Sequence, residues 1–283
     1  MGADENKLHA YAKTYLNKKN IDPQPPVEII ITQDNYENYL GRIGYYSSFI
    51  PFYSREVQQL GIEATLEKYL NRLIDGSAGG AFHGLIRTAY AYELGSEEEV
   101  AKALAYFSEC YQAYPLEEEP KKTDDAFEQI KKLSQMEYFK SFEFKRSLIT
   151  GRMMDIYQDA VFRQEVRSLA MEKCDSTNFA DLMLNLYGMT EDFTILHGFT
   201  STHALRVLKK FFNNYSKVLQ MHWIHLQLAY LSTGCVELNP LPEAEYIEEW
   251  DAIFDATMKV NDVHTIKLVY SLHEQAEVGE EPE

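Results

Sequence analysis

In AFHGLIRTAYAYELGSEEE, residues 81–99, a helical run, a stop and a fresh start stand side by side. A helix is expected from Ala81 to Leu94, ended by Gly95, the residue that most easily takes the left-handed conformation closing a helix. Ser96 and Glu99 then match a capping box, with Ser96 capping the next helix and Glu99 reaching back. So short a junction makes two helices pack as a tight antiparallel pair. Upstream, Ala64–Ile74 puts Leu66, Leu70, Leu73 and Ile74 on one helical face before Asp75 and a glycine-rich turn, Gly76–Gly80.

The helical pattern continues downstream. Further helices are expected at Asp124–Leu133, Phe142–Ala170, Asn178–Tyr187, Asp192–Phe212, Ser216–Ser232, Glu243–Met258 and Asp262–Glu274. Leu116–Lys145 is charge-rich and gives poor boundaries. Val27–Thr32 has strand character but no partner, and reads as an extended connector or edge. Strands do not alternate with helices, which argues against a doubly wound sheet. The expectation is an all-α fold, a compact irregular array of about ten or more helices with at most one short strand. Residues 1–26 form a short polar helix and a Pro-rich connector, 27–274 a single helical domain, and 275–283 a disordered acidic tail.

Composition narrows the partners. Apolar residues make up 45% of the 283, enough for a sizeable packed core. The formal charge of −17 repels phosphate backbones and anionic lipid heads, so nucleic acid and membrane surfaces are not expected partners. Cys110, Cys174 and Cys235 are too scattered for a zinc ribbon or a disulfide framework. There is no apolar leader and no long apolar run, so the cytoplasm is the expected location. Oligomeric state is not encoded legibly.

No phosphate-binding glycine motif, nucleophile elbow or HExxH zinc motif is present. The informative residues are histidines. His83 follows the glycine turn, with Arg87 and Tyr90 on the same helical face. His197 and His203 are separated by about 240° of helical rotation, so they suit two walls of a cavity better than one chelate. The small residues Gly198, Thr200, Ser201 and Thr202 lie between them. His264 is followed at i+3 by Lys267, behind Asn261 as a cap. His222 and His225 stand at the i,i+3 spacing of a chelating pair. Each residue also has a plain structural reading: a core histidine bonded to a carbonyl, a surface lysine, an arginine paired with an acid. Neutral imidazoles are good ligands for iron, zinc or copper.

Three blocks resemble the questin oxidase-like family: AFHGLIRTAYAYEL (81–94), HGFTSTHALRVLKKFF (197–212) and WDAIFDATMKVNDVHTIKLVYSL (250–272). The resemblance implies an oxygen-dependent oxidoreductase that opens the ring of an aromatic or quinone-type ketone in a Baeyer–Villiger-like sense. It implies NADPH as electron donor and no flavin. Oxygen reacts slowly with closed-shell organic molecules, so a histidine-bound non-heme iron is expected to activate it. The implied ligand set is His83, His197, His203 and His264, with Lys267 beside them as a carbamate. Arg87, Tyr90 and Arg206 are the expected catalytic residues, the arginines pairing with a phenolate or carboxylate of the substrate. Gly84 stands where many relatives carry proline, and Arg87 where some carry histidine. The alternative reading is a helical small-molecule-binding or interaction protein whose histidines are structural.

Overall fold

The computed structural model describes residues 7–10, 13, 29–170, 173, 175–241, 249–260 and 262–280, with only the backbone of 278–280. The chain divides into two compact units, residues 26–242 and a smaller one from 1–25 and 243–283.

The larger unit is a helical array. It opens with an extended segment at 29–32, then α1 (Tyr46–Leu60), α2 (Ile62–Leu73), α3 (His83–Leu94) and α4 (Glu97–Cys110). After a long connection come α5 (Ala126–Gln135), α6 (Glu137–Lys140), α7 (Ile149–Tyr157) and α8 (Ala160–Glu165). The unit closes with α9 (Ser176–Thr190), α10 (Phe193–Val207) and α11 (Tyr215–Ser232). α4 packs against α1 on one side and α3 on the other, and α10 lies between α3 and α9. The all-α reading holds. Among the described residues there are two short strands, against one at most expected, and neither falls at 29–32. β1 (Lys122–Thr123) and β2 (Ser168–Leu169) form a two-rung parallel pair.

α1 carries Pro51 in its second turn, which removes the N–H that would bond Ser47 O and costs one intrahelical hydrogen bond. The long helix expected over 142–170 is instead α7, α8 and β2. Asp155 holds the preceding loop by accepting bonds from the Lys145 and Arg146 backbone N–H groups and from the Arg146 guanidinium. Asp159 then caps α8, accepting from Val161 N at 2.7 Å. The cap at Ser96 is present, accepting from Glu99 N at 3.3 Å. The reciprocal half is not made: the Glu99 carboxylate turns to Lys102 at 3.0 Å and Arg87 at 3.5 Å.

The core of this unit is aromatic and aliphatic. Trp223 is fully buried and stacks on Phe179 at 6.0 Å. Two buried amides answer each other there: Gln129 donates to Gln227 Oε1 at 3.1 Å, and Gln227 donates to Arg167 O at 2.8 Å.

The smaller unit contributes α12 (Trp250–Thr257) and α13 (Val263–Glu280), which are in contact with each other. Asp262 caps α13, accepting from Thr265 N at 2.8 Å, while the expected cap Asn261 lies outside the described residues. α13 runs to Glu280, past the residue-274 boundary expected for the folded chain. Cys174 and residues 14–28 also lie outside what is described. No described helix is long and apolar enough to cross a membrane.

Candidate functional site

The centre of the site is built by the turn before α3. Gly76, Gly79 and Gly80 let this turn press on the end of α4: a Cβ on Gly76 would meet the Tyr111 ring, and one on Gly79 the Cys110 carbonyl. Ala81 and Phe82 follow at φ 53° and 65°, two consecutive left-handed residues that are not glycine. That conformation costs on the order of 1–2 kcal/mol per residue. Phe82, completely buried, is one anchor that holds it. The chain then enters α3 at His83 with the imidazole turned inward.

His83 Nδ1 lies 2.6 Å from Gly80 O. On α10, His197 Nδ1 lies 2.7 Å from Phe193 O. A carbonyl accepts only, so both Nδ1 atoms carry the hydrogen. In neutral imidazoles both Nε2 atoms then hold lone pairs. These two Nε2 atoms face each other at 3.2 Å. Two lone pairs so placed repel unless a cation, a proton or a metal ion, stands between them. With metal–nitrogen bonds of about 2.0–2.1 Å, two neighbouring ligands stand roughly 3.0–3.4 Å apart. Tying the far nitrogen to a carbonyl is also how metal-binding histidines are oriented. On these observations the two residues fit a metal ion. Among the described residues no three His, Cys, Asp or Glu side chains are grouped to hold one.

His203, two turns further along α10, has different surroundings. Arg206 Nη2 donates to its Nδ1 at 3.2 Å. Its proton therefore sits on Nε2, which points toward Glu93 Oε1 at 3.9 Å. Burial, with the Arg206 charge adding to it, lowers the His203 pKa to about 4, so the ring is neutral. The Tyr90 ring lies 6.3 Å from it. The Arg206 Nε–H is buried without an acceptor among the described residues.

The remaining expected residues are placed as follows. Arg87 is partly exposed, pairs with Glu99 at 3.5 Å and lies over the Tyr106 ring. His264 and Lys267 share a face of α13 in the smaller unit, where His264 Nδ1 lies 3.5 Å from Asp262. His222 and His225 do not converge: His222 Nε2 meets Thr202 Oγ1 at 3.2 Å, and His225 Nδ1 meets Ser77 Oγ at 3.3 Å. Of the hydroxyls between His197 and His203, Ser201 and Thr202 thus serve His222, while Thr200 Oγ1 donates to Leu196 O at 3.2 Å. Gly198 serves close packing, its face covered by Met183 and by Leu226 at 3.2 Å.

Sequence reasoning missed Glu93, one acid among 44. Its place one helical turn beyond Tyr90 was the only signal. It also missed a cavity of about 570 Å³ lined by Tyr111, Tyr114 and His225.

The family described as questin oxidase-like matches residues 1–272. Among curated proteins the chain has no match.

Proposed function

From the premise that the chain belongs to the questin oxidase-like family, we propose that it is an oxygen-dependent oxidoreductase acting on a small aromatic or ketone molecule. The observation that carries the reading is the His83–His197 pair, two lone pairs 3.2 Å apart with both outer nitrogens committed to carbonyls. His83 and His197 would hold a non-heme iron. Iron there would supply the oxygen activation that closed-shell organic molecules cannot provide for themselves.

The chain's own residues have separable tasks. The Gly80 and Phe193 carbonyls fix the orientation and tautomer of the two rings. His203 holds its proton on Nε2, which points toward Glu93 at 3.9 Å, while Arg206 keeps Nδ1 as the acceptor, so the ring is oriented as a neutral N–H donor. Arg206 as the partner of a carbonyl or phenolate oxygen belongs to the proposal and would need its buried Nε–H, which has no acceptor among the described residues, to open to the site. Lys267 as a further ligand, and NADPH as donor, belong to the same proposal and rest on the family alone.

The second reading is that a proton, not a metal, bridges the pair. Metal analysis after iron loading separates the two. Near-stoichiometric iron is expected in the purified protein and loss of most of it in His83→Ala and His197→Ala, with far-ultraviolet dichroism unchanged. Oxygen uptake on a panel of quinones should be lost with it. Absence of any bound transition metal after loading would overturn the metal reading.

A further inference from the structure

Phe193 holds His197 twice. Its carbonyl accepts from His197 Nδ1 at 2.7 Å, and its ring packs edge-on against the imidazole with centroids 4.5 Å apart. That ring contact is close: Phe82 stands 5.5 Å from His222, and Tyr114 5.7 Å from His225. The two holds act on different freedoms. A carbonyl acceptor decides which nitrogen carries the hydrogen. Hydrogen-bond directions at a carbonyl are broadly distributed, so the imidazole plane can still swing. A ring edge packed against it takes up that swing.

The backbone under Phe193 is fixed from before and after. Glu191 turns the chain at φ 49°, and its N–H bonds Tyr187 O at 2.7 Å. Thr190 Oγ1 accepts from Asp192 N at 3.3 Å. Asp192 Oδ1 then accepts from Thr194 N at 2.7 Å and Ile195 N at 3.2 Å, capping α10 with Phe193 as its first residue. The Phe193 side chain is 48% exposed, so it contributes less to the fold than a core phenylalanine would. Its close neighbour His197 is 3% exposed. His83, by contrast, is half-buried and rides on the strained turn at Ala81 and Phe82. His197 is therefore the fixed member of the pair, and Phe193 is what fixes it.

We propose that Phe193 is the positioning residue of the pair: its ring sets the plane of His197, so that the Nε2 lone pair points at the spot shared with His83. The proposal rests on the metal reading of the pair and deepens it. Plane and tautomer are controlled by different atoms of one residue. A side-chain substitution removes the first control and leaves the second, which is a backbone carbonyl.

The test uses the full chain with cobalt(II) as probe, read by its visible absorption and by competition with a chelator. Phe193→Ala should weaken cobalt binding about tenfold, the low end of what losing a contact that orients a metal ligand costs. Its cobalt spectrum should change as well. Phe193→Tyr keeps the ring and should restore both affinity and spectrum. Nitrogen-15 spectra should show the hydrogen still on His197 Nδ1 in both variants. A second readout needs no metal: carbon-13 relaxation at His197 Cε1 should report a rigid ring in the parent and Phe193→Tyr, and a mobile one in Phe193→Ala. Should Phe193→Ala fail to fold, Phe193→Leu against Phe193→Tyr makes the same comparison. Cobalt affinity in Phe193→Ala equal to the parent's, or a weakening that Phe193→Tyr shares, would overturn the inference. If the parent takes up no cobalt, the metal reading falls and relaxation decides. An imidazole as rigid in Phe193→Ala as in the parent then overturns the positioning role, and a mobile one sustains it for a pair bridged by a proton.

Discussion

At the scale of single residues, the molecule keeps histidines neutral by different means. His222 and His225 are held at pKa values of about 3 by burial, with His225 adding to the effect at His222. In an unfolded chain both would take up a proton near the ordinary value of 6.5. Between those values the unfolded state binds more protons, so acid favours it. The contribution is fully retained above about pH 6.5 and is lost as pH falls toward 3. Each group adds about 1.4 kcal/mol per pH unit to the slope near pH 5. His225→Phe should reduce the fall in urea-determined stability between about pH 6 and 5 by that amount relative to the parent. An unchanged slope would mean that His225 is already charged in the folded chain. The sequence singled out the histidines by their apolar surroundings but not which nitrogen of each was engaged. That depends on carbonyls such as Phe193 O, which every residue carries alike.

At the scale of elements, helix bodies were legible and their breaks were not. α2, α3, α4, α10 and α11 lie close to where apolar period and caps put them. The long helix expected over 142–170 is broken because Asp155 bonds backbone N–H groups of the loop before α7 and Asp159 caps a fresh helix start at α8, a choice made by local hydrogen bonding rather than by hydrophobic period. Gly84 was read as a departure from a family pattern, and the structure supplies its physical reason. A Cβ there would stand 2.8 Å from the Phe107 ring and 2.9 Å from Phe107 Cα, so α3 and α4 touch at this point. Gly84→Ala should cost about 1–3 kcal/mol by overpacking, read as a lower urea midpoint at unchanged m-value. A neutral or stabilising effect would show that the two helices can part without loss.

At the scale of the whole molecule, the surplus of 44 acidic over 27 basic residues sets the behaviour in salt. Like charges repel more in the compact chain than in the expanded one. Screening that repulsion by raising NaCl from ~0.02 to ~0.2 M should raise the thermal midpoint by a few degrees, followed by calorimetry. A fall would mean that specific ion pairs, such as Lys210–Glu63 at 2.5 Å, outweigh the net field. Charge and fold class were legible from composition and period because both are sums over many residues. The cavity was not. It arises where Tyr114, on an irregular connection, meets His225 on α11, and no local pattern announces such a meeting.

The two-rung strand pair has a consequence for the order of assembly. Ser168 N bonds Lys121 O at 3.0 Å, and Ala170 N bonds Thr123 O at 3.2 Å, with the Ser168 hydroxyl adding one bond to Pro120. Closing a loop of this length costs on the order of 3 kcal/mol in chain entropy, and three ordinary hydrogen bonds return about as much. The rungs therefore form only once α5, α7 and α8 have already gathered the intervening chain. Pro120 and Ser168 also edge the cavity, so parting the two rungs would loosen its rim.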